Sequence, residues 1–310
     1  MPPITGRPGE VTLVMEEALY NGPLGDSLYA FICQEELALP QSGYDGAEPM
    51  FDLTQIPPAS FGNMFRANRN IIIVTIDSKL EEAVFRIEED YWAKHQLLIR
   101  LAAPSKEQLA VLIYERGDFL VETMRETEVK REIFFNNKFE NTELKNHLIS
   151  KHQISMQFQK GWQKKMDTDD FVWMTQTPQN VQQHVLIKTY PYNNEKQISF
   201  EGLLIDTEKW LKEYVPGPSD GSYMCFEIGQ APIYSRVFEK DGIYIREIKG
   251  LWKVQNDFMG GPFISWSFID QERNRLVTVL GQVYAPKTDK RNHIRRVESI
   301  LHTVIFPDQE

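Results

Sequence analysis

The sequence predicts a two-domain α+β protein in which each domain is a mainly antiparallel sheet covered by helices. Three observations carry this reading. The chain has 310 residues, the length of roughly two ordinary domains of about 150. Apolar, β-rich runs bounded by turns recur along it, most clearly residues 263–269 and 276–284, joined by the polar turn 270–275. Each half also holds an amphipathic helix: Leu109, Leu112, Ile113, Leu120 and Met124 fall on one face, as do Ile294, Val297, Leu301 and Val304 later.

Taken in order, residues 10–15 (EVTLVM) form a first strand. Gly22-Pro23-Leu24-Gly25 breaks the chain, and Asp26 or Ser27 caps a helix running to about Cys33. Residues 41–49 read as a loop, 51–56 as a strand ending at Pro57-Pro58, and 60–68 as a short helix. Residues 70–76 (NIIIVTI) make a buried strand, followed by strands at 83–88 and 96–102. Pro104-Ser105 opens the longest helix, which persists to about Phe135. Beyond it come strands at 154–158, 171–175 and 184–189, and a helix at 203–214 stopped by Pro216-Gly217-Pro218. A meander closes the chain: 223–228, 233–238, the Lys240-Asp241-Gly242 turn, 243–254, 263–269 and 276–284, then a helix over 289–304.

The polar stretch 136–153 holds the boundary, giving an acidic domain 1–145 and a β-meander domain 146–310 with a C-terminal helix. Charge follows the division. Residues 1–150 hold 14 Lys+Arg against 24 Asp+Glu, and residues 151–310 hold 20 of each. An acidic half repels phosphate backbones, which argues against nucleic-acid binding. No run approaches the ~20 apolar residues that span a bilayer. The start, Met1-Pro2-Pro3-Ile4, lacks the basic and apolar regions of a signal peptide. Cys33 and Cys225 sit in apolar runs and read as two buried thiols rather than a disulfide.

Motifs for chemistry are sparse. Gly260-Gly261-Pro262 lacks the Lys-Ser/Thr of a phosphate loop and reads as a turn. The six histidines show no pair at the four-residue spacing that shares a helix face; His147 and His152, five apart, are expected to diverge. Asp167, Asp169 and Asp170 resemble the start of a calcium loop, but no Gly follows at its sixth position and Pro178 stands at its twelfth. They read as a solvated acidic turn. No Gly-x-Ser-x-Gly elbow occurs, so no catalytic residue, metal ligand or cofactor is assigned. The candidates for a ligand or partner face are Tyr190, Tyr192, Tyr223, Trp252, Phe258 and Met259, whose flat apolar bodies bind while polar handles orient. Arg291, on the basic face of the last helix with Lys290, Arg295 and Arg296, joins them for an acidic partner.

Several segments together resemble an uncharacterised family of Bacteroidetes lipoproteins, a domain-of-unknown-function group. They are Pro2-Pro3-Ile4-Thr5-Gly6-Arg7-Pro8-Gly9-Glu10-Val11, Arg69-Asn70-Ile71-Ile72-Ile73-Val74, Tyr190-Pro191-Tyr192, Tyr214 through Met224, Gly250-Leu251-Trp252, Asp257 through Phe263, Tyr284-Ala285-Pro286 and Asp289-Lys290-Arg291-Asn292. The resemblance covers nearly the whole chain. It implies a signal peptide upstream of the Pro-Pro-Ile-Thr-Gly segment, a native lipid anchor, and a place in the cell envelope, periplasmic or at the outer membrane. This chain has neither signal nor lipid-acceptor cysteine near its start. The element order of the second half is similar to photosystem accessory proteins of the PsbP type. The expected function is a binding or accessory module for an envelope protein or small ligand; the alternative is a hydrolase of an envelope polymer or ester with a site between the domains.

Overall fold

The computed structural model of the chain describes residues 1–41, 43 and 46–307. Two compact units divide it, Met1–Glu35 with Pro49–Arg131 and Glu36–Glu48 with Glu132–Glu310. A short segment of the first half is therefore folded into the second unit.

In the first unit, strands β1 (Glu10–Val14), β2 (Asp52–Ile56), β3 (Asn70–Ile76), β4 (Val84–Glu89) and β5 (Leu97–Ala103) form a sheet ordered β2-β1-β3-β5-β4. Helices α1 (Glu17–Tyr20) and α2 (Pro23–Ile32) follow β1, and α3 (Lys106–Lys138) follows β5. Alternation along the strands sorts the side chains. Val11, Leu13, Ile72, Val74, Ile99 and Leu101 pack with Leu28 and Ile32 of α2 and Leu109, Ile113 and Leu120 of α3. Val14, Ile71 and Leu98 turn the other way, toward Phe61 and Trp92.

The two-domain α+β class holds, and across the two sheets the ladders are mostly antiparallel. The first unit is the exception to the expected pairing. Here β1–β2, β1–β3 and β3–β5 are parallel, and among the described residues only β4–β5 is antiparallel. Two helices between β1 and β2 supply the long crossover that parallel neighbours require. The unbroken Ile71-Ile72-Ile73 is the mark of a strand buried on both faces.

The same unit buries a charged network. Glu128 of α3 takes two bonds from Arg69 (2.6 and 2.9 Å), one from Arg131 (2.7 Å) and one from the Asn70 amide (2.8 Å). Arg131 also donates to the carbonyls of Arg69 and His95, both at 2.7 Å. Burial opposes the charge on Glu128, but Arg131 and Arg69 outweigh it and hold the carboxyl below its usual range.

The second unit is built on one antiparallel sheet. Its strands are β6 (Gln163–Asp167), β7 (Phe171–Gln176), β8 (Gln182–Pro191), β9 (Tyr223–Glu227), β10 (Tyr234–Lys240), β11 (Ile243–Gln255), β12 (Gly260–Asp270) and β13 (Arg275–Tyr284). They run in the order β10-β11-β12-β13-β8-β7-β6, with β9 paired to β11. Helix α4 (Thr142–His147) precedes β6, α5 (Phe200–Tyr214) lies between β8 and β9, and α6 (Arg291–Leu301) follows β13. One face packs Val185, Ile264, Trp266, Val277 and Val279 under Val297, Ile300 and Leu301 of α6. The other packs Trp173, Leu186, Trp252, Phe263 and Leu280 under Leu203, Trp210 and Leu211 of α5.

Three local expectations change. Residues 154–158 form no strand and make only a bridge from Ser155 to Ile305. Residues 60–68 hold no α-helix; a single 3-10 turn spans Pro58–Ser60. The basic face of α6 is partly inside, because Glu36 and Glu48 contact it. Arg295 pairs with Glu36, and the Glu48 carboxylate accepts from the backbone N–H groups of Lys290 and Arg291 at 2.8–2.9 Å. A carboxylate there satisfies the first N–H groups of the helix and complements its dipole.

Candidate functional site

The aromatic candidates separate along the second sheet. Tyr190 pairs with Leu276 at one end of β13, while Trp252 rings against Tyr284 at the other, with centroids 6.4 Å apart. Those ends are about 26 Å apart at ~3.3 Å per residue. Tyr190 and Tyr192 pack against the core beneath α5, and burial pushes the Tyr190 hydroxyl up to about 12. Trp252 is itself core, 4% exposed, and donates its indole N–H to the Val283 carbonyl (3.3 Å). Arg291 is also buried.

Phe258 is different. It stands fully in solvent at the tip between β11 and β12. Asp257 braces the tip, accepting from the Phe258 N–H (2.6 Å) and from the Ser219 hydroxyl (2.9 Å). Met259 and Tyr223 flank it, Met259 packed against the core and Tyr223 under the Lys212 ammonium, 5.0 Å from the ring centre.

A second constellation lies elsewhere in the unit, where the sequence expected only a solvated turn. Helix α4 starts at Asn141, whose side chain accepts from the Leu144 N–H, and runs directly into a π-helical turn, Leu148–His152. Five residues carry a side chain to the far side of an α-helix of 3.6 residues per turn. In a π turn, residues five apart are hydrogen-bonded neighbours. His147 and His152 therefore converge, with ring centroids 6.2 Å apart. Both meet Asp167 at the end of β6: His147 Nε2 is 2.6 Å from Oδ2 and His152 Nε2 is 2.8 Å from Oδ1.

Two ammonium groups complete the cluster. Lys151 donates to Oδ1 and Lys164 to Oδ2, each at 3.0 Å. Burial pushes the Asp167 carboxyl up, but the bonds from Lys164, Lys151, His152 and His147 more than reverse this, so it lies well below its usual range. Burial lowers His152, with Asp167 partly opposing. Arg275 fixes the end of the π turn by donating to the carbonyls of His152 (2.9 Å) and Gln153 (3.1 Å). The result is a carboxylate that orients two imidazoles from a braced backbone. The signal for it was the five-residue histidine spacing together with Asp167, and it reads correctly only if the turn is π rather than α.

Residues 141–303 match the family described as Domain of unknown function (DUF4837). The chain belongs to this family. The DUF4837 span covers the whole second sheet, the Phe258 tip and the Asp167 cluster. Residues 4–134 match a second description, Domain of unknown function (DUF8532), which takes in the first sheet and nearly all of α3. No curated protein matches the chain. Among the described residues, no helix is long and apolar enough to cross a membrane.

Proposed function

We propose that this DUF4837 protein is a non-catalytic binding or accessory module of the cell envelope, and that it engages an envelope protein through the tip between β11 and β12. The observation that carries this reading is the fully exposed Phe258 on a tip braced by Asp257. An aromatic ring held in water gains about 1.5–3 kcal/mol when a partner covers it, and bracing beforehand reduces the ordering cost of association. The envelope location rests on the resemblance to Bacteroidetes lipoproteins, with the lipid attached upstream of the Pro-Pro-Ile-Thr-Gly segment.

Native mass spectrometry on protein gently extracted from its host tests the reading. We expect a discrete partner mass on the wild type and its loss in Phe258→Ser, with the melting temperature unchanged because the side chain contributes nothing to the core. A bare monomer for the wild type, or a partner retained by the variant, overturns it. Recovery of the natural full-length protein outside the membrane and periplasmic fractions overturns the location.

A further inference from the structure

We propose that His147, His152 and Asp167 form a seat for one divalent transition-metal ion of the zinc class, and that the Lys164 ammonium occupies this seat in the structure described here. The site is independent of the Phe258 tip.

The donor set comes first. Two imidazole nitrogens and a carboxylate oxygen suit Zn²⁺ and its neighbours Co²⁺ and Ni²⁺, and three protein ligands leave a fourth position for water or another ligand. The three donor atoms all lie within 4.8 Å of one another. Tetrahedral zinc with bonds of ~2.1 Å places its donors about 3.4 Å apart. That value lies between the 2.6 and 2.8 Å His–Asp separations and the 4.8 Å limit, so modest rotations of the side chains reach it.

The position of Lys164 is the second observation. Its Nζ lies 3.0 Å from Asp167 Oδ2 and 3.2 Å from His147 Nε2, a cation placed against a carboxylate oxygen and an imidazole nitrogen together. A ring nitrogen has either one hydrogen or one lone pair. His147 Nε2 therefore cannot both donate to Oδ2 and accept from Nζ. With Nε2–H turned inward, His147 donates to Oδ2 and the ammonium bonds Oδ2 alone; with the lone pair inward, a cation shared between nitrogen and oxygen holds them together. A metal ion is such a cation and binds both donors more strongly than an ammonium group.

The scaffold supports the role. The π turn brings the two imidazoles together, and Arg275 braces it from behind through the His152 and Gln153 carbonyls. His152 and Asp167 are largely buried, whereas the side chains of Lys151 and Lys164 are 34% and 39% exposed. Both lysines can swing into water on flexible stems without disturbing the core. The lysines compete with the metal, so removing Lys164 should strengthen binding, an effect that a purely structural charge cluster would not give.

The experiment is calorimetric titration of the full chain with ZnCl₂, with Co²⁺ absorption in the visible as a second readout. The proteins are the wild type, Lys164→Met, Lys164→Met with His147→Ala, and Lys164→Met with His152→Ala. We expect one Zn²⁺ per chain, affinity raised about tenfold or more by Lys164→Met, and a loss of about 100-fold when either histidine is then removed. Circular dichroism melts check that each variant is folded. His147 is the more exposed of the two imidazoles, so its variant remains informative if His152→Ala fails to fold. No stoichiometric Zn²⁺ binding by folded Lys164→Met overturns the proposal, as does binding that is indifferent to His147→Ala.

Discussion

Nδ1 of His184 accepts the indole N–H of Trp173 at 3.1 Å, which requires a neutral ring. Burial, helped by the nearby Lys165 charge, lowers this histidine to about 4. In the unfolded chain the ring takes up a proton as pH falls through ~6.5. Its contribution to stability is therefore full above that pH and drains away as pH falls toward 4, by roughly 3 kcal/mol. Urea titrations of the wild type and His184→Gln at pH 7 and pH 4.5 check this: the variant should lose less stability between the two. An equal loss in both would remove His184 as the cause. Single residues also mark the limits of the sequence. Phe258 was legible only as one of a set of aromatic residues, and its residue type does not say that it stands in solvent. Trp252 and Arg291 were legible only as residue types, since nothing local says that β11 turns an indole inward or that Glu48 meets the start of α6 and Glu36 its Arg295.

Among the elements, Gly281 of β13 lets α6 pack close against the sheet. A Cβ built there would lie 2.1 Å from Cγ1 of Val297, a stiff β-branched side chain. Gly281→Ala should destabilise the protein by about 1–3 kcal/mol, and Val297→Ala in the same chain should recover part of that loss. A double-mutant cycle by chemical denaturation measures the coupling; strictly additive effects would mean that the helix seats elsewhere. Most elements were readable from pattern: the apolar, β-rich runs of β12 and β13, the stripe of α6, and the long face of α3. The unread ones share a cause. The π turn differs from α by one residue in its hydrogen bonds, below the resolution of an apolar pattern. Polar β6, Gln-Lys-Lys-Met-Asp, has no alternation to read. The parallel pairing of β1, β2 and β3 depends on the path of α1 and α2, which strand composition does not encode.

At the scale of the molecule, the two units own separate cores, and their spectroscopic labels are unequally shared. Of the six tryptophans only Trp92 belongs to the first unit, whereas the long α3 lies mostly there. Removing the charge of Glu128 leaves two buried guanidinium groups without their carboxylate, a loss of about 3–5 kcal/mol. Glu128→Gln should therefore lower the melting midpoint seen by far-ultraviolet circular dichroism more than the midpoint seen by tryptophan fluorescence. Coincident midpoints that fall together would show one cooperative transition. The two-domain organisation was visible in chain length and in the uneven charge, because both are sums over many residues. How a segment near residue 40 joins the later unit was not, since only tertiary contacts decide it. The edge of the second sheet carries one more consequence. β6 ends the strand order and shifts register against β7 between Lys164 and Met166, and its sequence carries two adjacent lysines, Lys164 and Lys165. A kinked, doubly charged margin is a poor template for another chain to add strands. Strand addition along this margin is therefore disfavoured, and Lys164, which also lies beside the histidine pair, is one of the residues that disfavour it.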